Sequence, residues 1–560
     1  MSISRGMVGL GFVLAVTACG SNHGLIQQRQ RSVAPQGTHD VGTVLQGASE
    51  GQVEKILAAH PAAQVRVLNS QHGMYEIFNV DIANVRQEFD GLSEPNQYFT
   101  REPAGEVSKT SIAGPTGYKI GNLNPCADGK SMPEAVLTLE APSNGAMDLG
   151  SVVKFNGSAS KSTDGSLLKM AMVSVYPDAA GKPQQTTNGA TLSIVADTLG
   201  LYQVFLVVQD GENACAMDAI RFVVSANRPY NGPNAPAMVA DLSQFSHLAT
   251  VHAPEAWKIS QGDGLTIAII DSGVDYNHPS LAPNMAVNAG EIPANGIDDD
   301  KNGFVDDVVG YDFANNDSYP YDDDSHGTHV AGLAASRTFG LAPHAKILAV
   351  KAMTPAGGDV ASVAAGIRYA VDRSAKIINV SLGTASALPS PALVAAANYA
   401  EAKGALIVTS SGNGDPISGK GMNIDVQPQY PASLDNSNVL TVGASDAKES
   451  LASYSNFGVK SVKVVAPGGT KDDYIYSCAF ENPQKQLLIG MAGTSMATPI
   501  VSGIAALVWS KNPTLKPAEV IQILEQSGPK DPNLTGLVKS GRHVDALGAL
   551  QSLTVRNVLF

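Results

Sequence analysis

Gly493-Thr494-Ser495-Met496-Ala497-Thr498-Pro499 sets a serine between small residues, directly ahead of the apolar run Ile500-Val501-Ser502-Gly503-Ile504-Ala505-Ala506-Leu507-Val508. The run predicts a buried helix with the serine at its N-terminus, beside backbone N–H groups that no carbonyl of the helix can satisfy. Such groups can meet negative charge developing on a substrate oxygen. A lone Gly-Thr-Ser carries little weight, because small residues also serve tight helix packing. Two segments upstream decide the reading.

The first is Leu265-Thr266-Ile267-Ala268-Ile269-Ile270-Asp271-Ser272-Gly273, a β-branched apolar run that predicts a buried parallel strand delivering a carboxylate at its C-terminal end. The second is Asp324-Ser325-His326-Gly327-Thr328-His329-Val330-Ala331-Gly332, a histidine opening a small-residue helix. Ser495 alone is a weak nucleophile. It needs a base within hydrogen-bond reach, and the base needs a buried acid to fix its tautomer and stabilise its cation.

Asp271, His326 and Ser495, in that chain order, resemble the triad of the subtilases, the subtilisin-like serine proteases of the peptidase S8 family. The resemblance spans about residues 240–550. It implies an α/β fold with a mostly parallel sheet and helices on both faces, and a serine endopeptidase working through an acyl-enzyme. Asp271 orients, His326 is base then acid, Ser495 is the nucleophile, and His329 is structural. Thr409-Ser410-Ser411-Gly412-Asn413-Gly414 resembles the family's oxyanion segment, so Asn413 pairs with the Ser495 backbone N–H; Ser411 stands where the family usually has Ala. Ile377-Ile378-Asn379-Val380-Ser381-Leu382-Gly383 resembles the strand that pairs with extended substrate, making Ser381, Leu382 and Gly383 substrate-binding. Small walls at Gly383 and Gly414 leave specificity open, with Asp415 a slight reason to expect a basic preference.

At 560 residues the chain is long enough for three or four domains. A net charge of −14 and the lack of a basic patch with interleaved aromatics argue against nucleic acid as a partner. Protein or peptide substrates and a monomeric state are expected.

Arg5 precedes a 12-residue apolar run from Met7 to Ala18, too short to span a bilayer as a stable helix. Its end, Val16-Thr17-Ala18-Cys19-Gly20-Ser21, resembles a bacterial lipobox, which implies a lipidated Cys19 as the new N-terminus. Membrane contact is expected only through that anchor. The expected location is the cell envelope (outer membrane or surface), or outside the cell after cleavage.

The expected organisation is a signal peptide (1–18), linker (19–37), small α/β unit (38–105), linker (106–125), β-sandwich (126–226), linker (227–240), catalytic domain (241–550) and tail (551–560). In 38–105, Ser49-Glu50-Gly51-Gln52 is a capping-box pattern ahead of a helix. Val65-Arg66-Val67 and Tyr75-Glu76-Ile77 alternate like half-buried strands, and Asp81 can cap a second helix through Phe89. The unit resembles inhibitory subtilase prosegments. In 126–226, short strand candidates separated by turn residues predict an all-β Ig-like sandwich, resembling polycystic-kidney-disease-type (PKD-like) domains without their aromatic central motif. Cys126 and Cys215 sit at its two ends and can clasp it, leaving Cys478 free; the three non-lipid cysteines allow three pairings. The Pro/Gly/Asn linker stretch 227–236 is expected to be easily nicked.

Asp298-Asp299-Asp300-Lys301-Asn302-Gly303-Phe304-Val305-Asp306-Asp307 has the Asp-x-Asp-x-Asn-Gly spacing of calcium loops. Asp298, Asp300, Asn302, the Phe304 carbonyl and Asp306 are the expected ligands of a structural calcium. Val309 occupies the EF-hand glutamate position, so Asp306 or Asp307 must substitute. Asp322-Asp323-Asp324 reads as a solvated turn. No catalytic cofactor is expected.

Overall fold

The computed structural model describes residues 241–556 apart from 356, 416 and 481–486, most of 43–99 and of 133–234, and none of 1–42, 100–132, 235–240 or 557–560. The expected signal peptide, Cys19, Cys126, the side chain of Cys215 and most of the helix expected after Asp81 lie outside the described residues.

Among the described residues, the N-terminal unit comprises β1 (Thr43–Gln46), α1 (Glu50–Ala59), β2 (Gln64–Asn69), β3 (Met74–Phe78), β4 (Leu92–Pro95) and β5 (Tyr98–Phe99). The first four strands form an antiparallel sheet in the order β2-β3-β1-β4. The capping box forms, with Gln52 N donating to Ser49 Oγ and Ser49 N donating to Gln52 Oε1 at 2.9 Å. That start sets Val53, Ile56 and Leu57 in register to bury against Val65, Tyr75 and Ile77. The polar faces of β2 and β3 differ from expectation. Arg66 and Glu76 are fully buried, because they meet the C-terminal part of the chain and not water.

Residues 138–224 form two antiparallel sheets. One runs β10 (Thr191–Ala196), β7 (Ser151–Asn156), β6 (Thr138–Glu140); the other runs β12 (Cys215–Val224), β11 (Gly200–Gln209), β8 (Lys169–Val175), β9 (Gln185–Asn188). Val153, Phe155, Leu192 and Ile194 of the first and Met172, Tyr202, Val204 and Leu206 of the second are buried in one cluster. The polar strand β9, Gln185-Thr186-Thr187-Asn188, carries no apolar alternation for a sequence reading to find.

The C-terminal strands are β13 (Thr266–Asp271), β14 (Gly310–Asp312), β15 (Lys346–Lys351), β16 (Met353–Thr354), β17 (Gly357–Asp359), β18 (Ile377–Val380) and β19 (Thr384–Ala385). They continue with β20 (Leu406–Ser410), β21 (Gln429–Tyr430), β22 (Val439–Ser445), β23 (Val462–Pro467), β24 (Ile475–Cys478) and β25 (Leu488–Met491). The main helices are α2 (His326–Ala335), α3 (Val360–Asp372), α4 (Pro391–Ala402), α5 (Thr494–Lys511), α6 (Pro517–Glu525) and α7 (Ala546–Arg556). Seven strands form one parallel sheet, β14-β15-β13-β18-β20-β22-β23. Alternate residues of β13 point to opposite faces. Ile267 and Ile269 pack with residues of α2 and α5, while Ala268 and Ile270 pack with residues of α3 and α4. Both faces are thus covered, which is why the strands read as continuous apolar runs.

The linker behaves differently from the expected nicking site over residues 228–234. Arg228 donates from Nη1 to the Tyr321 hydroxyl at 3.2 Å, and Tyr276 donates from its hydroxyl to the Arg228 carbonyl. Tyr230 donates to the Ala282 carbonyl at 2.7 Å and Asn277 Nδ2 to the Pro229 carbonyl at 3.0 Å. These bonds strap Arg228–Asn231 to the protein surface, while Pro229, Asn231, Pro233 and Asn234 stay exposed.

Candidate active site

Asp271 is the last residue of β13, and His326 is the first of α2. Strand and helix meet because Gly327 has no side chain: a Cβ there would stand 2.0 Å from the Gly273 carbonyl oxygen. The approach brings His326 Nδ1 to 2.6 Å from Asp271 Oδ1, with Asp271 fully buried and His326 nearly so. Ser272 N also donates to that oxygen at 2.8 Å. An ionised Asp271 holds the imidazole proton on Nδ1, leaving Nε2 as the basic nitrogen.

Ser495 is the second residue of α5, 8% exposed, following Gly493 at the helix N-terminus. Its hydroxyl donates to the Ser381 carbonyl at 3.1 Å, and Ser381 Oγ donates back to the Ser495 carbonyl at 3.0 Å. Asn379 Nδ2 donates to Ser381 Oγ, and Ser502 Oγ donates to Asn379 Oδ1 at 2.8 Å. The network ties the start of α5 to the end of β18. Leu382 and Gly383 follow Ser381, with Gly383 close to the Tyr430 carbonyl.

Asn413 lies in the turn after β20. Its Oδ1 accepts from Thr494 N and Thr494 Oγ1, each at 2.9 Å, and a Cβ at Gly493 would stand 3.3 Å from Nδ2. The carbonyl end of the amide is therefore anchored by Thr494, with Nδ2 beside Gly493. Gly414, at φ +88°, turns the chain against the Lys420 carbonyl where no side chain fits. Asp415 Oδ1 accepts from Ile417 N and Ser418 N, so this carboxylate caps its own turn.

His329, the second histidine of the motif, is buried, with Nε2 3.0 Å from the Ile475 carbonyl and burial pulling its pKa down to about 3. Cys478 is a buried free thiol whose pKa burial pushes well above its ordinary value, which is the opposite of an activated nucleophile.

The acidic loop gathers a different set of carboxylates from the expected one. Asp298 accepts from Asn302 N and Gly303 N, and Asp306 accepts from Asn295 N and Gly296 N, so both cap turns. Asp300 Oδ1 accepts from Asn302 N, while Asn302 Nδ2 donates to Asp300 and Asp307. Phe304 packs its ring against Tyr311 and Tyr369. Carboxylate oxygens of Glu291, Asp300 and Asp307 lie within 4.8 Å of one another. Burial raises the pKa of Glu291, with Asp307 and Asp300 adding to the rise, and raises that of Asp307 against the lowering pull of Arg373 at 2.6 Å. Glu291 precedes the Asp-x-Asp-x-Asn-Gly pattern, which is why the spacing did not reveal it.

The run Asp322-Asp323-Asp324 is not a solvated turn. Asp322 and Asp323 are buried; Asp322 Oδ1 accepts from Ser272 Oγ, and Asp322 Oδ2 from Thr328 N. Asp323 pairs with the fully buried Lys351, Nζ to Oδ1 at 2.7 Å.

The model of the subtilase family matches residues 262–542 of the 560-residue chain. Thermitase of Thermoactinomyces vulgaris is 38% identical over 267 residues, a match covering 47% of this chain and 80% of thermitase. The thermophilic serine proteinase of Bacillus sp. (strain AK1) is 37% identical over 301 residues, covering 51% of this chain and 62% of that protein. Among solved structures, a protease from Pseudoalteromonas arctica aligns with a TM-score of 0.46 at 25% identity, covering 57% of this chain and 99% of its own.

Proposed function

The chain belongs to the subtilase family and is a serine endopeptidase, and we propose that Asp271, His326 and Ser495 are its catalytic triad. The observation that carries this reading is the buried Asp271–His326 contact at 2.6 Å, with Ser495 at the N-terminus of the adjoining helix. Ser495 attacks the scissile carbonyl carbon as His326 Nε2 takes the hydroxyl proton. The tetrahedral oxyanion is held by Asn413 Nδ2 and the Ser495 N–H. His326 then protonates the leaving amine, and water repeats the sequence on the acyl-enzyme. Ser381, Leu382 and Gly383 bind extended substrate by main-chain pairing.

The N-terminal unit is an inhibitory prosegment. Its support is β5, which pairs antiparallel with β17 in the register Tyr98↔Asp359 and Phe99↔Gly358. β17 in turn pairs antiparallel with β16 in the register Gly358↔Met353, so β5 is the edge strand of a three-stranded sheet shared with the catalytic part. Self-cleavage falls within the 97–125 window. The two sheets of 138–224 form an Ig-like sandwich that spaces or binds, clasped by Cys126 and Cys215. The protein is exported, with Cys19 lipidated and anchoring it to the cell envelope. Cleavage after the prosegment releases sandwich and protease from that anchor to the outside.

A structural calcium braces the acidic loop. The donor set is all oxygen, as a hard cation requires, and the close carboxylates of Glu291, Asp300 and Asp307 are those that would hold it. Calcium supplies charge neutralisation there and takes no part in bond cleavage.

Fluorophosphonate labelling of wild-type protein beside Ser495→Ala tests the triad: label on the wild type alone supports it, and label on neither contradicts it.

A further inference from the structure

A lysine side chain with no exposed surface lies directly behind the candidate triad. Lys351 ends β15 in register with Asp271, and Ala352 N donates to the Asp271 carbonyl at 2.8 Å. Its Nζ donates to the Ser272 carbonyl at 2.8 Å and lies 2.7 Å from Asp323 Oδ1, with both charged side chains fully buried. Ser272 immediately follows Asp271, and Asp323 stands three residues ahead of His326. One ammonium group therefore bridges the two loops that carry the acid and the base.

The tie is reinforced from each side. Ser272 Oγ donates to Asp322 Oδ1 at 2.9 Å and accepts from Gly327 N at 2.9 Å, stitching the same loops one residue away. Around Lys351 stand Asp312, Asp322 and Asp323, all buried, and each favours the lysine's charged form. Burial pushes the Asp323 carboxyl up to about 7 even beside its lysine, so the environment is costly to charge. Replacing such a pair by apolar residues is often neutral or stabilising, so stability alone does not account for it.

We infer that Lys351 is a positioning residue for catalysis: it sets the separation of Asp271 and His326 by holding the Ser272 carbonyl and the Asp323 carboxylate at once. It touches no substrate. This rests on the triad reading above, and its effect passes through the Asp271–His326 contact. A purely structural ion pair would affect melting and leave the activation of Ser495 alone.

The test uses the full chain, each variant incubated with a trace of wild-type protein so that processing does not depend on its own activity. A fluorophosphonate is titrated, separating the saturating inactivation rate from the half-saturating concentration. The informative variant is Lys351→Met/Asp323→Leu, which removes both charges and leaves no buried ion unpaired. Its saturating rate is expected to fall about ten- to a hundredfold, the scale of a small misplacement of catalytic groups. Its half-saturating concentration should stay within about twofold, since probe contacts are unchanged. Asp323→Asn keeps an acceptor for Lys351 Nζ and is expected to lose less. A folded double variant inactivated at the wild-type rate overturns the inference while leaving the triad intact. Wild-type protein that fails to label sinks the triad reading itself.

Discussion

The hydroxyl of Ser495 donates to the backbone carbonyl of Ser381 at 3.1 Å, and among the described residues it makes no hydrogen bond to His326. The proposed nucleophile thus rests on a carbonyl of the segment expected to pair with substrate. On the triad reading its contact with His326 forms in the substrate complex, in line with catalytic contacts that tighten only when substrate is bound. The proposed oxyanion donor is held in place beforehand, because Thr494 anchors the Asn413 amide. Asn413→Ala should therefore lower kcat by about 10²–10³ with little change in KM, measured by steady-state hydrolysis of a peptide substrate.

Arg66 ties the N-terminal unit to the catalytic part through a fully buried pair of contacts, 2.6 Å to Glu76 and 3.1 Å to Asp359. Asp359 also caps α3 by accepting from Ser362 N. Arg66→Ala leaves two buried carboxylates without their cation, a loss of about 3–5 kcal/mol. That corresponds to docking weaker by about two to four orders of magnitude. After cleavage, the N-terminal fragment of this variant should elute separately from the protease in size-exclusion chromatography, where the wild-type fragment co-elutes.

His247 and His329 are both fully buried, and burial pulls each pKa from 6.5 to about 3. Among the described residues, neither ring nitrogen of His247 has a hydrogen-bond partner. Each imidazole is neutral in the folded state and becomes protonated on unfolding once the pH drops below about 6.5. The stability they contribute is complete above that pH and is lost as the pH falls toward 3, by about 1.4 kcal/mol per unit for each histidine. Denaturant unfolding at stepped pH should show this slope, and His247→Leu should reduce it by one proton's worth.

Calcium, on the account proposed for the acidic loop, raises the melting temperature, and chelation lowers it. At a hundredfold excess over Kd the stabilisation is about 2.7 kcal/mol. Asp300→Ala should abolish the calcium-dependent shift, whereas Asp306→Ala, whose carboxylate caps the turn at Asn295 and Gly296, should lower the melting temperature with and without calcium. Differential scanning calorimetry with calcium and with chelator reads both effects.

The parallel sheet was legible in the chain because its strands are buried on both faces, so each appears as an unbroken apolar run ending at a chemically useful residue such as Asp271. The Asp271, His326 and Ser495 motifs were legible for the same local reason: each sits on its own strand end or helix start. What escaped were environments made by distant residues. Asp322 and Asp323 look like a solvated acidic turn until Lys351, brought up by the next strand of the sheet, is seen to bury with Asp323. Arg66 and Glu76 look like the wet face of a hairpin until Asp359, from far along the chain, closes over them. In the acidic loop, the spacing pointed to Asp298, Asp300 and Asp306, whereas the carboxylates that lie within 4.8 Å of one another are Glu291, Asp300 and Asp307, and Glu291 enters from outside the pattern.

The most direct test of the central claim is the intact mass of wild-type protein beside Ser495→Ala, each with calcium and with chelator. The account predicts one specific cleavage of the wild type within residues 97–125, separating the N-terminal unit from the sandwich and protease, while Ser495→Ala stays whole. Identical masses for the two proteins, cleaved or uncleaved, would contradict self-processing by Ser495.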